Sequence, residues 1–380
     1  MIFKKSFSYK FVAFAVLVQS FLVILQQVLI AVFHMEQEST TIYRVMLTAI
    51  PLSIAIIMTL FRKWKVFVVV YSITLLIVLL NILIFHQNEI FLVQNSLRFL
   101  LPVVIPSALC LMFIPSIDIV EDVLYKISWL CTLPVFIYVI NFFTGTFIIS
   151  DYNMSFSYGL LLPMLSLYSK KNPCSVIVSI ILFIIVVGIG SRGAAVIFVL
   201  YALYDIFQSH KKFAIPALLL LIVFFLFLPS LAQWFESIDI HSRTLNLLFD
   251  HNLLRSDARS LLYESMLDVF WDNPITGIGL FGDRIYLNGS YVHNFIIELY
   301  LNWGVLIGTI ILLFLLVKFI KTYKNSNKTN RNILIKYLLA SVVPLMFSGS
   351  YLIDYNLGIF IGVLFLLSRT NRDKSFQTAI

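Results

Sequence analysis

Arg255, Arg259 and Tyr263 recur at four-residue spacing, which places all three on one face if this stretch is helical. A guanidinium is a planar fork that grips phosphate or carboxylate through two parallel hydrogen bonds, whereas an ammonium is a hydrated point charge. Arg243 stands a little earlier in the same polar stretch, and Arg192 interrupts two apolar runs in Ser191-Arg192-Gly193. An arginine so close to hydrocarbon is costly without water, a partner or a ligand. The plain alternative is a tight helix-helix turn, which explains Gly193 better than Arg192. Further on, His293-Asn294 opens the run Phe295-Ile296-Ile297-Glu298. A histidine there can act as a base or donate a hydrogen bond to an anionic leaving group. Glu298 lies five positions on, on a neighbouring helical face, where it and Asn294 could support the histidine. The competing reading makes His293 a helix cap at an interface.

Several familiar chemistries are excluded. Gly277-Ile-Gly-Leu-Phe-Gly282 matches G-x-G-x-x-G in form, but Pro274 precedes it and no strand leads in, so it is not a dinucleotide fingerprint. Its glycines let the chain bend back tightly. His241 and His251 are isolated, no second His or Cys stands at zinc-like spacing, and no metal site is expected. No G-x-S-x-G elbow is present. Cys110, Cys131 and Cys174 lie in or beside apolar runs and read as packing residues.

The elements that must position these residues are membrane helices. Of 380 residues, 60% are apolar and 12% charged, with a mean hydropathy of +0.96, far from the roughly 25% charge of a soluble domain. A bilayer core takes about 20 helical residues to cross. Runs of that kind occupy 11–33, 42–61, 66–85, 97–114, 123–143, 155–168, 174–190, 192–208, 213–229, 294–320, 333–349 and 351–367. The fold class is therefore an all-α integral membrane protein, a single polytopic domain over 1–380 with about twelve spans. One large outer loop, 230–293, containing short amphipathic helices, separates the ninth and tenth. The run 294–320 exceeds one crossing, so His293–Trp303 is expected along the interface and the span from Gly304. Lys4, Lys5 and Lys10 precede the first run, whose apolar core is too long for a signal peptide, so it reads as an uncleaved anchor.

Orientation follows from lysine. With both termini inside, Arg62–Lys65, Lys170–Lys171, Lys211–Lys212, Lys318–Arg331 and Arg369–Lys374 are all cytoplasmic, and no lysine is left outside. The net charge of +8 is thus a topology signal and no sign of nucleic-acid binding. Arg44, Arg98, Arg192, Arg243, Arg255, Arg259 and Arg284 fall on the outer side. For Arg44, Arg98 and Arg284 the simplest role is to anchor helix ends or pair with loop acids. Within the outer loop, Ser256-Asp257 marks a helix start and Asn273-Pro274 its stop. Leu262, Met266, Val269 and Phe270 form its buried stripe over about four turns.

In order and spacing, the motifs Ser191-Arg192-Gly193-Ala194, Ser242-Arg243-Thr244-Leu245, Asp257-Ala-Arg259, Asn273-Pro-Ile-Thr-Gly277-Ile-Gly279, His293-Asn294 and Trp303-Gly304-Val305 resemble the O-antigen polymerase and O-antigen ligase superfamily. The likeness runs from about 188 to 310, and the first 180 residues add only hydropathy and topology. The resemblance implies a metal-independent glycosyltransferase of the bacterial plasma (inner) membrane, without cofactor or nucleotide sugar. It would use undecaprenyl-diphosphate-linked oligosaccharide among the membrane lipids, in the company of a chain-length regulator and a flippase. It also implies that Arg192, Arg243, Arg255 and Arg259 hold the diphosphate, and that His293 is the acid/base or leaving-group contact. A polymerase of O-antigen or capsule repeats is the first expectation, and a ligase to lipid A core or protein differs only in acceptor. Twelve spans also suit a flippase or other transporter, but that should place ionisable groups near the bilayer midplane. Here the spans are nearly free of charge near the middle of the membrane, and polar residues concentrate in one outer loop. A structural scaffold leaves the outer arginines unexplained.

Overall fold

The computed structural model describes residues 2–143, 154–189, 191–209 and 258–377, with isolated helical positions at 216, 219 and 230. Among these residues every regular element is a helix, and the chain is an all-α membrane protein. In chain order they are α1 (Ile2–Phe33), α2 (Gln37–Ile84), α3 (Glu89–Asn95), α4 (Ile105–Met112), α5 (Ile117–Phe143), α6 (Met154–Ser169), α7 (Pro173–Ile189) and α8 (Arg192–Ser209). Then come α9 (Ala258–Asp272), α10 (Asp283–Tyr286), α11 (Phe295–Asn325), α12 (Lys328–Ser341) and α13 (Tyr355–Gln377). Among the described residues five helical stretches are long and apolar enough to cross a membrane: Phe7–Phe33, Gln37–Ile84, His86–Met112, Ile117–Asn141 and Phe295–Asn325. The apolar helices Pro173–Gly188 and Gly193–Ser209 are shorter.

One expected loop and two expected spans take a different local form. The loop expected at 62–65 is a single break: α2 leaves helical geometry only at Lys63 (φ −138°, ψ 31°). Its 48 residues would measure about 72 Å unbroken, more than twice a bilayer core, so α2 is long enough for the two spans expected there, with its break at Lys63. Phe61, Leu83 and Ile50 on its flanks are largely exposed, as lipid-facing residues are. The run 97–114 winds first as a π-helix over Ser96–Val104. Ile105 N–H reaches back five residues to Leu100 O; the next bond in that series would come from Pro106, which has no N–H. The Tyr71 hydroxyl takes the orphaned Leu101 oxygen instead, at 2.9 Å. The span expected at 333–349 ends early. Helix α12 stops at Ser341, a 3-10 turn covers Pro344–Met346, and Gly349 (φ +90°) turns the chain towards α13.

The chain divides into two compact units, the first made of 1–16, 49–123 and 258–380 and the second of 17–48 and 124–257. In the first, α13 packs on the π-helix and α4 through a G-x-x-x-G pair. A Cβ on Gly358 would lie 2.4 Å from Val104 O, and one on Gly362 2.8 Å from Ala108 O. Four residues on one helix match four on the other, so the two run in the same direction at backbone distance. Arg369 continues the register by donating to Ile114 O at 2.6 Å. At that same end Arg62 donates to Ser8 Oγ (3.2 Å), and Tyr9, Arg62, Phe113 and Ile114 line one small cavity. Lys336 of α12 pairs there with Glu121 of α5, both buried.

The second unit is built on α6, whose Gly159 meets Val23 and whose Phe156 stacks on Tyr138 at 4.7 Å. Ser157 Oγ accepts Ser191 N–H at 2.8 Å, and Ser179 Oγ donates to Met164 O at 2.9 Å. Hydroxyls between apolar helices supply the hydrogen bonds that lipid cannot. Cys131 is buried in this unit and Cys110 in the first, as packing residues should be, whereas Cys174 at the start of α7 is exposed.

Candidate functional site

The stretch from α9 to the first turns of α11 positions His293. The expected stripe of α9 is the one buried: Met266 is enclosed, and Leu262, Val269 and Phe270 pack with it against Ile278, Val292 and Leu301. Tyr263 and Ile297 join this apolar cluster. Helix α9 ends at Asp272, before Asn273-Pro274, where the proline disfavours helical geometry in its predecessor.

After α9 the chain docks into a break in α11. Gly304 has φ 68° and ψ 177°, so the helical bond from Val305 N–H to Leu301 O cannot form. Both groups turn to the incoming loop: Val305 N–H donates to Pro274 O (2.8 Å), and Leu301 O accepts from Ile278 N–H (2.7 Å). Only glycine serves at 304, since a Cβ would sit 1.9 Å from Ile275 O. The break falls where the sequence placed the start of the span. Two asparagines fix the next turn, Asn88 donating to Ile278 O (2.7 Å) and Asn81 accepting from Leu280 N–H (2.8 Å).

His293 then sits in left-handed geometry (φ 56°), with its ring centroid 4.2 Å from that of Tyr291. Asn294 is the cap of α11. Its side chain accepts from the N–H groups of Ile296 (3.1 Å) and Ile297 (3.2 Å). His293 therefore stands just outside the helix, and the capping role suggested for it belongs to Asn294.

Beneath this loop lies a buried ionic cluster. Arg284, 2% exposed, donates through Nη1 to Asp283 Oδ1 (2.5 Å) and Glu298 Oε1 (2.8 Å), and through Nη2 to Ser350 Oγ (2.6 Å). Ser350 Oγ in turn donates to Glu298 Oε1, and Glu298 Oε2 accepts from Tyr351 N–H at 3.1 Å. Asp283 Oδ2 accepts from Val292 N–H at 3.2 Å. Burial pulls the Arg284 guanidinium down, but Asp283 and Glu298 more than offset this and hold it above its ordinary value. Burial likewise raises the Tyr291 phenol. Asp354, half-buried nearby, accepts the N–H of Asn356 at 2.7 Å.

Of the residues singled out by sequence, His293, Asn294, Glu298 and Tyr263 come together in the first unit. Arg259 is the second residue of α9 in that unit and Arg192 the first of α8 in the second, their side chains lying outside the described part. Arg243 and Arg255 lie outside the described residues. Arg284 takes the simplest role open to it, pairing with acids. Asn81, Asn88, Asp283 and Ser350 carried no motif, and their only signal was a polar group in or beside an apolar run. Among the described residues no group of His, Cys, Asp and Glu is placed to hold a metal ion.

Residues 177–313 match the family model described as O-antigen ligase. The likeness covers a little over a third of the chain and supports a relation to the O-antigen polymerase and ligase superfamily. That family implies ligase- or glycosyltransferase-type activity on a lipid-linked glycan in a membrane. Neither the curated proteins nor the solved structures give a match to this chain. The matched segment contains all the sequence candidates, from Arg192 to Glu298, together with Asp283 and Arg284. Asn81, Asn88 and Ser350, which hold the His293 loop from other elements, lie outside it.

Proposed function

We propose that the protein is a polysaccharide polymerase of the bacterial plasma membrane. It joins undecaprenyl-diphosphate-linked oligosaccharide repeats of O-antigen or capsule at the outer face. A hydroxyl of one lipid-linked repeat attacks the anomeric carbon of another glycan. The carbon–oxygen bond to diphosphate breaks, undecaprenyl diphosphate leaves, and the hydroxyl proton passes to His293. Arg192, Arg243, Arg255 and Arg259 bind the diphosphate, and donors aimed at its growing charge contribute more at the transition state than in the bound substrate. The observation that carries this reading is the ordered motif set within residues 177–313, the segment that matches the O-antigen ligase model.

Both termini are cytoplasmic in this reading, and the loop 230–293 faces outward, as does the end of the first unit that holds His293. The opposite end carries Lys10, Lys63 and Lys65, in keeping with positive-inside orientation. A flippase supplies the substrate to this face, and a chain-length regulator is the expected partner. The description of the family model also favours a second reading, a ligase that passes glycan to lipid A core or protein.

The deciding experiment is the glycan profile of a deletion strain. Loss of a polymerase leaves single repeats on the terminal acceptor, whereas loss of a ligase leaves polymer on the lipid carrier. With purified protein, a lipid-diphosphate-linked repeat and no added metal or nucleotide sugar, polymerisation is expected. His293→Ala should lower it by about 10²–10⁴-fold, and Arg192→Lys or Arg259→Lys by about ten- to a hundredfold. A requirement for a nucleotide sugar would overturn the reading.

A further inference from the structure

We propose that Arg284 is a positioning residue for His293, acting through the buried Asp283–Arg284–Glu298–Ser350 cluster, and that it does not bind the diphosphate. The inference rests on the glycosyl-transfer reading above.

The guanidinium is 2% exposed, and both of its terminal nitrogens are engaged by Asp283, Glu298 and Ser350. An anion from solvent would have to displace two buried carboxylates to reach it. Apolar side chains would fill the same space at least as favourably, because charges removed from water lose hydration that pairing only partly restores. What apolar packing cannot do is fix directions, and here each hydrogen bond fixes one.

Those directions converge on the two flanks of His293. On the near side, Asp283 receives Nη1 on one oxygen and Val292 N–H on the other, so the residue before His293 is tied to the guanidinium through one carboxylate. The guanidinium carbon lies 5.3 Å from the Tyr291 ring centroid, and that ring lies 4.2 Å from the imidazole. On the far side, Glu298 anchors the first turn of α11 to Arg284, Ser350 and the Tyr351 N–H. Between the flanks, His293 keeps a left-handed φ of 56° that a non-glycine residue adopts only when its surroundings impose it. The left-handed turn therefore stands between two segments held by a single cation.

Arg284→Lys keeps the charge and loses the fork. In the polymerisation assay it should lower kcat by about tenfold or more, with KM for the lipid-linked donor changed by less than about twofold. In a His293→Ala background the same change should cost nothing further, because the residue it positions has gone. A diphosphate ligand would raise KM, and its loss would multiply with that of His293→Ala. A chemical readout needs no turnover: carbethoxylation of His293 by diethyl pyrocarbonate, followed by mass spectrometry, should change by about threefold or more in Arg284→Lys. The exposed His86 serves as the internal standard. If Arg284→Lys does not fold, Ser350→Ala removes the serine's bonds to Arg284 and Glu298 without stranding a charge and should show the same pattern with about a threefold to tenfold loss. A raised KM, multiplying losses or unchanged His293 reactivity would overturn this inference alone. Wild-type turnover of His293→Ala would overturn the role of His293 and this inference with it.

Discussion

Among the described residues the first unit buries two cations towards its two ends, and they are held differently. Lys336 reaches one carboxylate oxygen of Glu121, with the Tyr337 ring 5.3 Å from its Nζ. Arg284 reaches Asp283, Glu298 and Ser350, and its two carboxylates accept two further backbone N–H groups. A point charge joins α12 to α5 and can do little else. A fork ties α10, α11, the turn before α13 and the His293 loop into one piece. The lysine end is a clasp between helices, and the arginine end is a scaffold for a loop in a strained geometry.

The comparison can be broken most forcefully at the cations themselves. Arg284→Met leaves two buried carboxylates uncompensated and should cost about 3–5 kcal/mol, read as a fall in Tm in detergent and a loss of monodisperse protein. Lys336→Met strands only Glu121 and should cost less. Adding Glu121→Leu should restore most of that loss, since a buried pair can be exchanged for apolar residues at little cost. Adding Glu298→Leu to Arg284→Met should not, because Asp283 stays buried and Tyr351 N–H loses its acceptor. Equal recovery in both doubles would erase the distinction between clasp and scaffold.

A second test acts on the arginine end alone. Gly304→Ala forces a Cβ into Ile275 O and imposes left-handed geometry on alanine, for a loss of about 1–3 kcal/mol. Amide exchange should quicken across 274–282 and stay unchanged across the α4–α13 contact. Faster exchange at both ends would mean that the two are not independent.

Sequence reading located what depends on local pattern. The α9 stripe, its stop at Asn273-Pro274, the break at Lys63 and the break at Gly304 each follow from a periodicity, a proline, a charge cluster or a glycine within a few residues. It misjudged 333–349 because hydropathy sums apolar residues without weighing Pro344, which cannot continue the backbone ladder, or Gly349, which turns the chain. It expected an ordinary helix at 97–114 for the same reason, passing over Pro102 and Pro106. The ionic cluster was beyond its reach. Arg284, Glu298 and Ser350 share no period, and only folding brings a serine 66 positions away onto the guanidinium.

The bond from Arg369 to Ile114 O has one further consequence. Ile114 lines a cavity with Arg62, and Arg62 donates to Ser8, so Ser8 and Arg369 lie at the same end of the first unit. A chain that leaves one face of a bilayer and finishes on it has crossed an even number of times. The even number of crossings in the proposed topology requires this arrangement, and halves of a split reporter fused beyond these two residues are expected to meet in one compartment.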